Sequence, residues 1–279
     1  MRCLRKSNIA MKIPSILLLL AVIFLLASCA TMQVSPTPQP VTLTVFAAAS
    51  LTDAFNEIGR NFEAQNPETK LVFNFAGSQQ LAQQLAQGAP ADIFASANRK
   101  QIDALSQDGG RIISGTARIF ARNRLVVIYP HDNPLQLQRL TDLAQPGLKV
   151  VLAAKEVPVG QYALDFLDKA TQDKNLGAEF KAKVLKNVVS YEENVRSVLT
   201  KVALGEGDAG MVYASDISGE AATKVGRIEI PDKLNMVATY PIAPINNHYN
   251  SPQAQRFIDY VISAEGQAVL TKYGFISVN

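Results

Sequence analysis

From Val41 onward, short apolar, β-branched runs alternate with segments of helical periodicity, and the links between them are only a few residues long. Strand, helix and strand in such quick succession make neighbouring strands parallel, because each helix carries the chain back across the sheet. The first set reads as strands over 41–46, 71–75 and 91–96 and helices over 51–65, 79–87 and 100–107. Phe55, Ile58 and Phe62 share one face of the first helix, and Gly88 ends the second. After a polar approach carrying Arg118, Arg122 and Arg124, a second set starts with a strand over 125–129. It continues with a strand over 149–153, helices over 162–170 and 195–204, and a strand over 209–214. The run 238–245 reads as extended, and 251–273 predicts two last helices around Gly266. Two such sets predict an α/β protein of two lobes with mainly parallel sheets and a ligand cleft between them.

The apolar stretch 13–27 follows Arg2, Arg5, Lys6 and Lys12 and stops at small residues. It is shorter than the roughly 20 apolar residues of a permanent span, so residues 1–28 read as a signal peptide for export. Its end, Leu26-Ala-Ser-Cys29, resembles a bacterial lipobox, in which the cysteine is acylated after cleavage. Plain secretion after the same small residues is the alternative. The run TMQVSPTPQP over 31–40, with three prolines and no charge, completes an extended tether over 29–40. The expected location is therefore the outer face of the cell membrane, held by lipid.

Cys3 and Cys29 are the two cysteines, so the folded part offers no disulfide, thiolate metal site or cysteine nucleophile. Without the four N-terminal bases, the 27 basic residues become one fewer than the 24 acids. A net charge of −1 without a basic run gives no electrostatic case for nucleic acid.

Catalytic motifs are absent in an informative way. The two histidines, His131 and His248, lie in Pro-His-Asp-Asn-Pro and Asn-Asn-His-Tyr-Asn, both polar turns. No His-Glu-x-x-His, Gly-x-Ser-x-Gly or Walker A sequence occurs. Gly205-Glu-Gly-Asp-Ala-Gly210 matches the dinucleotide glycine pattern, but it follows a helix and precedes a strand. That order is reversed for a Rossmann loop and fits a helix C-cap and turn.

The informative residues are hydroxyls where strands give way to helices. Ser50, after Phe46-Ala-Ala-Ala, and Ser78, after Phe75-Ala-Gly, both read as N-caps at the carboxyl ends of adjacent parallel strands. Either alone is a helix cap; as a pair, among small residues, they form a cage of donors for an anion. In the second set, Pro158-Val159-Gly160 shapes a strand-to-helix turn, and Asn194 caps the helix that Val195 opens. Val195 by itself reads as core, and Tyr213 as either a core tyrosine or a donor reaching the cleft. Arg196 reads as a charge aimed at the cleft or a solvated first-turn arginine.

Taken together, several stretches resemble the molybdate-binding proteins of bacterial ABC importers: Val45-Phe-Ala-Ala-Ala-Ser50-Leu-Thr-Asp, Phe75-Ala-Gly-Ser78, Gln87-Gly-Ala-Pro-Ala-Asp-Ile-Phe-Ala-Ser-Ala, Val157-Pro-Val-Gly160, Asn194-Val-Arg, Gly210-Met-Val-Tyr213-Ala-Ser-Asp and Lys272-Tyr-Gly-Phe. They run in family order over 41–275. The resemblance implies a type II periplasmic-binding fold, with 41–122 plus 239–279 as one lobe and 123–238 as the other, hinged near Arg122 and Ala238. It implies a monomer that binds molybdate, and tungstate with it, and delivers it to an ABC permease without catalysis or a cofactor. Carried over by position, Ser50 and Ser78 donate from hydroxyl and main chain, Val159 and Val195 from main-chain N–H, and Tyr213 from its phenol. The family often has Ala where Val159 stands, a change that keeps the amide.

Molybdate carries acceptors and no proton at neutral pH, so a site made only of donors satisfies it. Monohydrogen phosphate needs an acceptor for its proton, and one buried polar group left unpaired costs about 1–3 kcal/mol. Sulfate is also proton-free, so its rejection rests on cavity size. The alternatives are the same fold binding another oxyanion such as sulfate, or an exported hydrolase using Ser50 or Ser78 as nucleophile.

Overall fold

The computed structural model describes residues 40–107, 110–246 and 252–278; residues 1–39, with the export segment, Cys29 and most of the tether, lie outside the described part, as does His248. The first strand, β1 (Val41–Ala48), pairs in parallel with β2 (Thr69–Ala76) and β3 (Ile93–Ala95). Helices α1 (Thr52–Gln65), α2 (Ser78–Ala86) and α3 (Arg99–Gln107) connect and follow them. On α1, the three residues at helical spacing are buried, and Phe55 and Phe62 pack edge-on against Phe257 with ring centres 6.1 and 5.3 Å apart. Each such ring contributes about 1.5–3 kcal/mol by burial. Gly59 lets α1 lie this close to β2, since a Cβ there would sit 2.8 Å from the Phe73 ring.

The second set holds β5 (Val150–Ala153), α4 (Pro158–Ala170), α5 (Phe180–Lys186), β6 (Val188–Glu192), α6 (Val195–Ala203) and β7 (Ala209–Tyr213), with β5 parallel to both β6 and β7. The short α7 (Ala221–Lys224) and β8 (Val225–Glu229) follow. Two long strands join the sets. The thirteen residues of β4 (Arg118–Pro130) pair antiparallel with β9 (Val237–Pro244) up to Arg124, and from Leu125 on with β7 and β8. Among the described residues this gives one nine-stranded sheet ordered β2-β1-β3-β9-β4-β7-β5-β6, with β8 beside β4. The parallel groups thus lie on either side of an antiparallel crossing, and β9 reaches β3 on its far edge.

Some local expectations are corrected. The arginine-rich approach is itself strand: Arg118, Arg122 and Arg124 face solvent while Phe120, Ala121 and Asn123 are buried. A bulge between Ile119 and Ala121 breaks the period-two pattern that would have announced it. The last two helices, α8 (Pro252–Ile262) and α9 (Ala264–Lys272), part at Ser263 rather than at Gly266. The Ser263 hydroxyl accepts the Gly266 N–H at 3.3 Å, and Gly266 sits in the first turn of α9, where a Cβ would lie 2.3 Å from the Tyr260 carbonyl oxygen. Strands β6 and β8 and helix α5 lack a clear signal; β6, an edge strand, is only half covered. The glycine run after α6 is a helix end, with Gly205 at φ +74°.

Candidate functional site

Two groups of three parallel strands end in one region: β1, β2 and β3 at Ala48, Ala76 and Ala95, and β5, β6 and β7 at Ala153, Glu192 and Tyr213. Crevices form at the carboxyl ends of parallel strands because the chain turns away there into helices. Ser50, Ser78, Val159, Val195 and Tyr213 all line a single small hollow at this place, together with the small residues Ala48, Ala49, Ala76, Gly77 and Ala97. Among the described residues its lining contains no acid, base or histidine. A larger, open groove beside it, between α1, α6 and α7, carries charges of both signs, among them Asp53, Arg60, Glu220 and Lys224.

Neither serine is a helix cap, contrary to the sequence reading. Ser50 lies inside a 3-10 turn, Ala49–Leu51, that precedes α1, and Ser78 is the first residue of α2, with Gly77 before it. Each oxygen is instead engaged from behind. Ser78 Oγ accepts the Ala97 N–H at 3.0 Å, and Ser50 Oγ lies 2.9 Å from the Tyr240 phenol oxygen. Both serines are nearly fully buried.

Val159 and Val195 present backbone. Val159 is the second residue of α4, after Pro158, whose missing N–H costs nothing at a helix start. Gly160 is required next to it, since a Cβ would lie 2.1 Å from the Ala154 carbonyl oxygen. Val195 opens α6, where Asn194 Oδ1 accepts the Ser197 N–H at 3.0 Å, as the sequence suggests. The first four amides of a helix have no acceptor within it, and its terminus carries roughly half a positive charge. Three α-helices, α2, α4 and α6, therefore turn their N-termini to the hollow.

Tyr213 is 1% exposed, and its hydroxyl has no hydrogen-bond partner among the described residues. Burial, with Tyr240, Tyr162 and Asp216 nearby, pushes its pKa well above the ordinary phenol value, so the group keeps its proton. An unpartnered, permanently protonated donor in a hollow fits an acceptor that arrives from outside.

Arg196 follows neither sequence reading. Its guanidinium lies 2.7 Å from Asp53 Oδ2 on α1 and 3.4 Å from Asp216 Oδ1 just after β7, so its charge is spent on two acids rather than on the hollow. Burial raises Asp216 to about 6 even though Arg196 and the Tyr213 N–H favour its charged form. Asp53 also accepts from the Ser218 hydroxyl at 3.2 Å. A second contact joins α2 to the start of α6: Gln79 Nε2 donates to the Glu193 carbonyl at 2.9 Å and Gln80 Nε2 to its carboxylate at 2.6 Å. Asp53, Glu193 and Tyr240 carried no sequence signal, because their partners lie more than a hundred positions away. His131 is exposed after β4 and does not line the hollow, so among the described residues no imidazole stands beside Ser50 or Ser78. Among the described residues no three His, Cys, Asp or Glu side chains cluster to hold a metal ion.

The family described as bacterial extracellular solute-binding protein matches residues 43–276. The chain is 38% identical over 248 residues to the molybdate-binding protein ModA of Mycobacterium tuberculosis, covering 89% of each chain. It is 31% identical over 260 residues to the putative ABC transporter substrate-binding lipoprotein YvgL of Bacillus subtilis, covering 92% of this chain and 95% of that one. Among solved structures, the substrate-binding domain of a putative molybdenum ABC transporter from Clostridium difficile aligns at a TM-score of 0.64 and 30% identity, covering 86% of this chain and all of that one.

Proposed function

This chain belongs to the bacterial extracellular solute-binding proteins, in the branch that contains the molybdate-binding proteins, and we propose that it captures molybdate in the hollow between its two parallel strand groups. Such proteins hold a solute and release it unchanged; they are not enzymes, and the anion is cargo rather than a cofactor. The observation that carries the reading is the buried hydroxyl of Tyr213, without a partner among the described residues, in a hollow that none of their acids lines and that helix N-termini border.

Ser50 and Ser78 supply hydroxyl and main-chain donors from one side, and Val159 and Val195 supply amides and Tyr213 its phenol from the other. A hydrogen bond to a charged group contributes about 1.5–3 kcal/mol and a helix terminus about 0.3–1 kcal/mol, so the anion needs no lysine or arginine. Because the donors come from both sides, the full set exists only when 41–122 plus 239–279 and 123–238 close on each other, and ligand shifts that equilibrium by its differential affinity. Tungstate, of the same form and charge, binds as well. The protein acts as a monomer, held to the outer face of the membrane by acylated Cys29, and hands its cargo to an ABC permease that reads the closed shape. The similarity to a lipoprotein supports the anchor.

Calorimetric titration with molybdate, tungstate, sulfate and phosphate tests this. Molybdate and tungstate are expected to bind tightly, sulfate far more weakly and phosphate not at all. Tight sulfate binding with no response to molybdate overturns the assignment.

A further inference from the structure

The contact between Ser50 and Tyr240 has a direction that the anion imposes. A serine hydroxyl has one proton and two acceptor lone pairs. If Ser50 gives its proton to an oxyanion, which only accepts, then the 2.9 Å contact behind it runs from the Tyr240 phenol to Ser50 Oγ. Resting on the proposal that the hollow takes an oxyanion, we infer that Tyr240 is a positioning residue whose phenol holds the Ser50 hydroxyl turned to the ligand as a donor.

The surroundings of Tyr240 suit that task. Its side chain is fully buried, and its ring is wedged edge-on among Tyr213, Phe120 and Phe275, with centres 5.8, 6.2 and 5.3 Å away, so the hydroxyl has one station. Once the phenol donates to Ser50, its own oxygen is open to accept. Asn123, on the neighbouring strand β4, favours the charged form of the phenol, as a nearby donor does. Asn123 Oδ1 accepts the Arg124 N–H at 2.9 Å, and Nδ2 gives one hydrogen to Ser215 Oγ at 2.8 Å, which leaves the second for the phenol. The bonds then run in one sense, from Asn123 to Tyr240 to Ser50 to the anion, and each donor polarises the next. Ser78 follows the same rule with a backbone donor, since the Ala97 N–H occupies its oxygen and frees its proton. Tyr240 stands on β9 and Asn123 on β4, so this relay starts in the antiparallel crossing that joins the two strand groups.

The test is a double-mutant cycle read by molybdate affinity. Tyr240→Phe keeps the ring and removes only the hydroxyl, so the ligand-free protein should melt within a few degrees of the parent. Its dissociation constant should rise about tenfold, as expected for one hydrogen bond beside a charged ligand. Ser50→Ala should cost more, and adding Tyr240→Phe to Ser50→Ala should change affinity less than about twofold. A merely structural role for the phenol cannot produce that loss of effect. Unchanged affinity in Tyr240→Phe, or losses that multiply in the double variant, overturns the relay while leaving molybdate as ligand. A parent protein that binds sulfate and not molybdate overturns the molybdate assignment alone, and the cycle is then read with sulfate; a parent that binds neither removes both.

Discussion

Tyr213 separates affinity from stability at the scale of one atom. A buried hydroxyl without a partner costs about 1–3 kcal/mol, so in the ligand-free protein it is a burden that binding removes. Tyr213→Phe keeps the ring against Tyr162 and Tyr240 and deletes only that atom. The expected result is a ligand-free melting temperature at or above the parent's, by about 2–4 °C per kcal/mol recovered, with molybdate affinity reduced about tenfold or more. Thermal melts with and without molybdate measure both quantities, and a variant that melts lower without ligand while binding normally would make Tyr213 a structural residue. How much of this was legible is itself a matter of single residues. The small-residue runs before Ser50 and Ser78 and the Pro-Val-Gly turn at Val159 mark the hollow in the sequence, because strand-to-helix turns leave local signatures. Tyr240 leaves none: what makes it matter is a serine 190 positions away, brought beside it by a crossing strand.

Between elements, α1 and α6 meet through Asp53 and Arg196. The two charges are 39% and 26% exposed, so their pairing contributes about 1 kcal/mol at most, and salt weakens it. Arg196 has a second duty, because Asp216 is completely buried and without its cation would become an uncompensated charge. The informative change is therefore Asp53→Asn, which weakens the bond between the helices and leaves Arg196 to Asp216. In the proposed closure that bond forms as the two sides meet, so the variant should bind molybdate about two- to fivefold more weakly, by faster release. The difference should fade as ionic strength rises; an equal deficit at low and high salt would rule out the ion pair as its cause. Helices and parallel strands were readable from periodicity, since each segment carries its own pattern. The charges linking α1 to α6 were not, and Arg196 in isolation looks like any exposed first-turn arginine.

Across the whole molecule, the proposed closure turns on β4 and β9, and in it Gly77 sets how near the two sides come. At Gly77 a Cβ would stand 2.5 Å from the Glu193 carbonyl oxygen, which belongs to the approach to α6 on the opposite side. The backbone there, φ −59° and ψ 135°, is one that alanine adopts without strain. Gly77→Ala therefore asks nothing of the fold of either side and obstructs only their approach; the nearby Gln79 amide, also within 2.6 Å of that Cβ, is the end of a flexible side chain and can move aside. If closure is a rigid movement about the β4–β9 crossing, the variant should keep the parent's unliganded melting temperature and lose most of its molybdate affinity, about tenfold or more, since donors held even half an ångström too far apart cannot share one small anion. Small-angle scattering supplies the independent measure. The parent should contract when molybdate is added, and Gly77→Ala should retain its unliganded dimensions at the same concentration. A parent whose scattering does not change with ligand, or a variant that contracts as fully as the parent, would mean that the donor shell is preassembled and that selectivity resides in the fixed dimensions of the hollow.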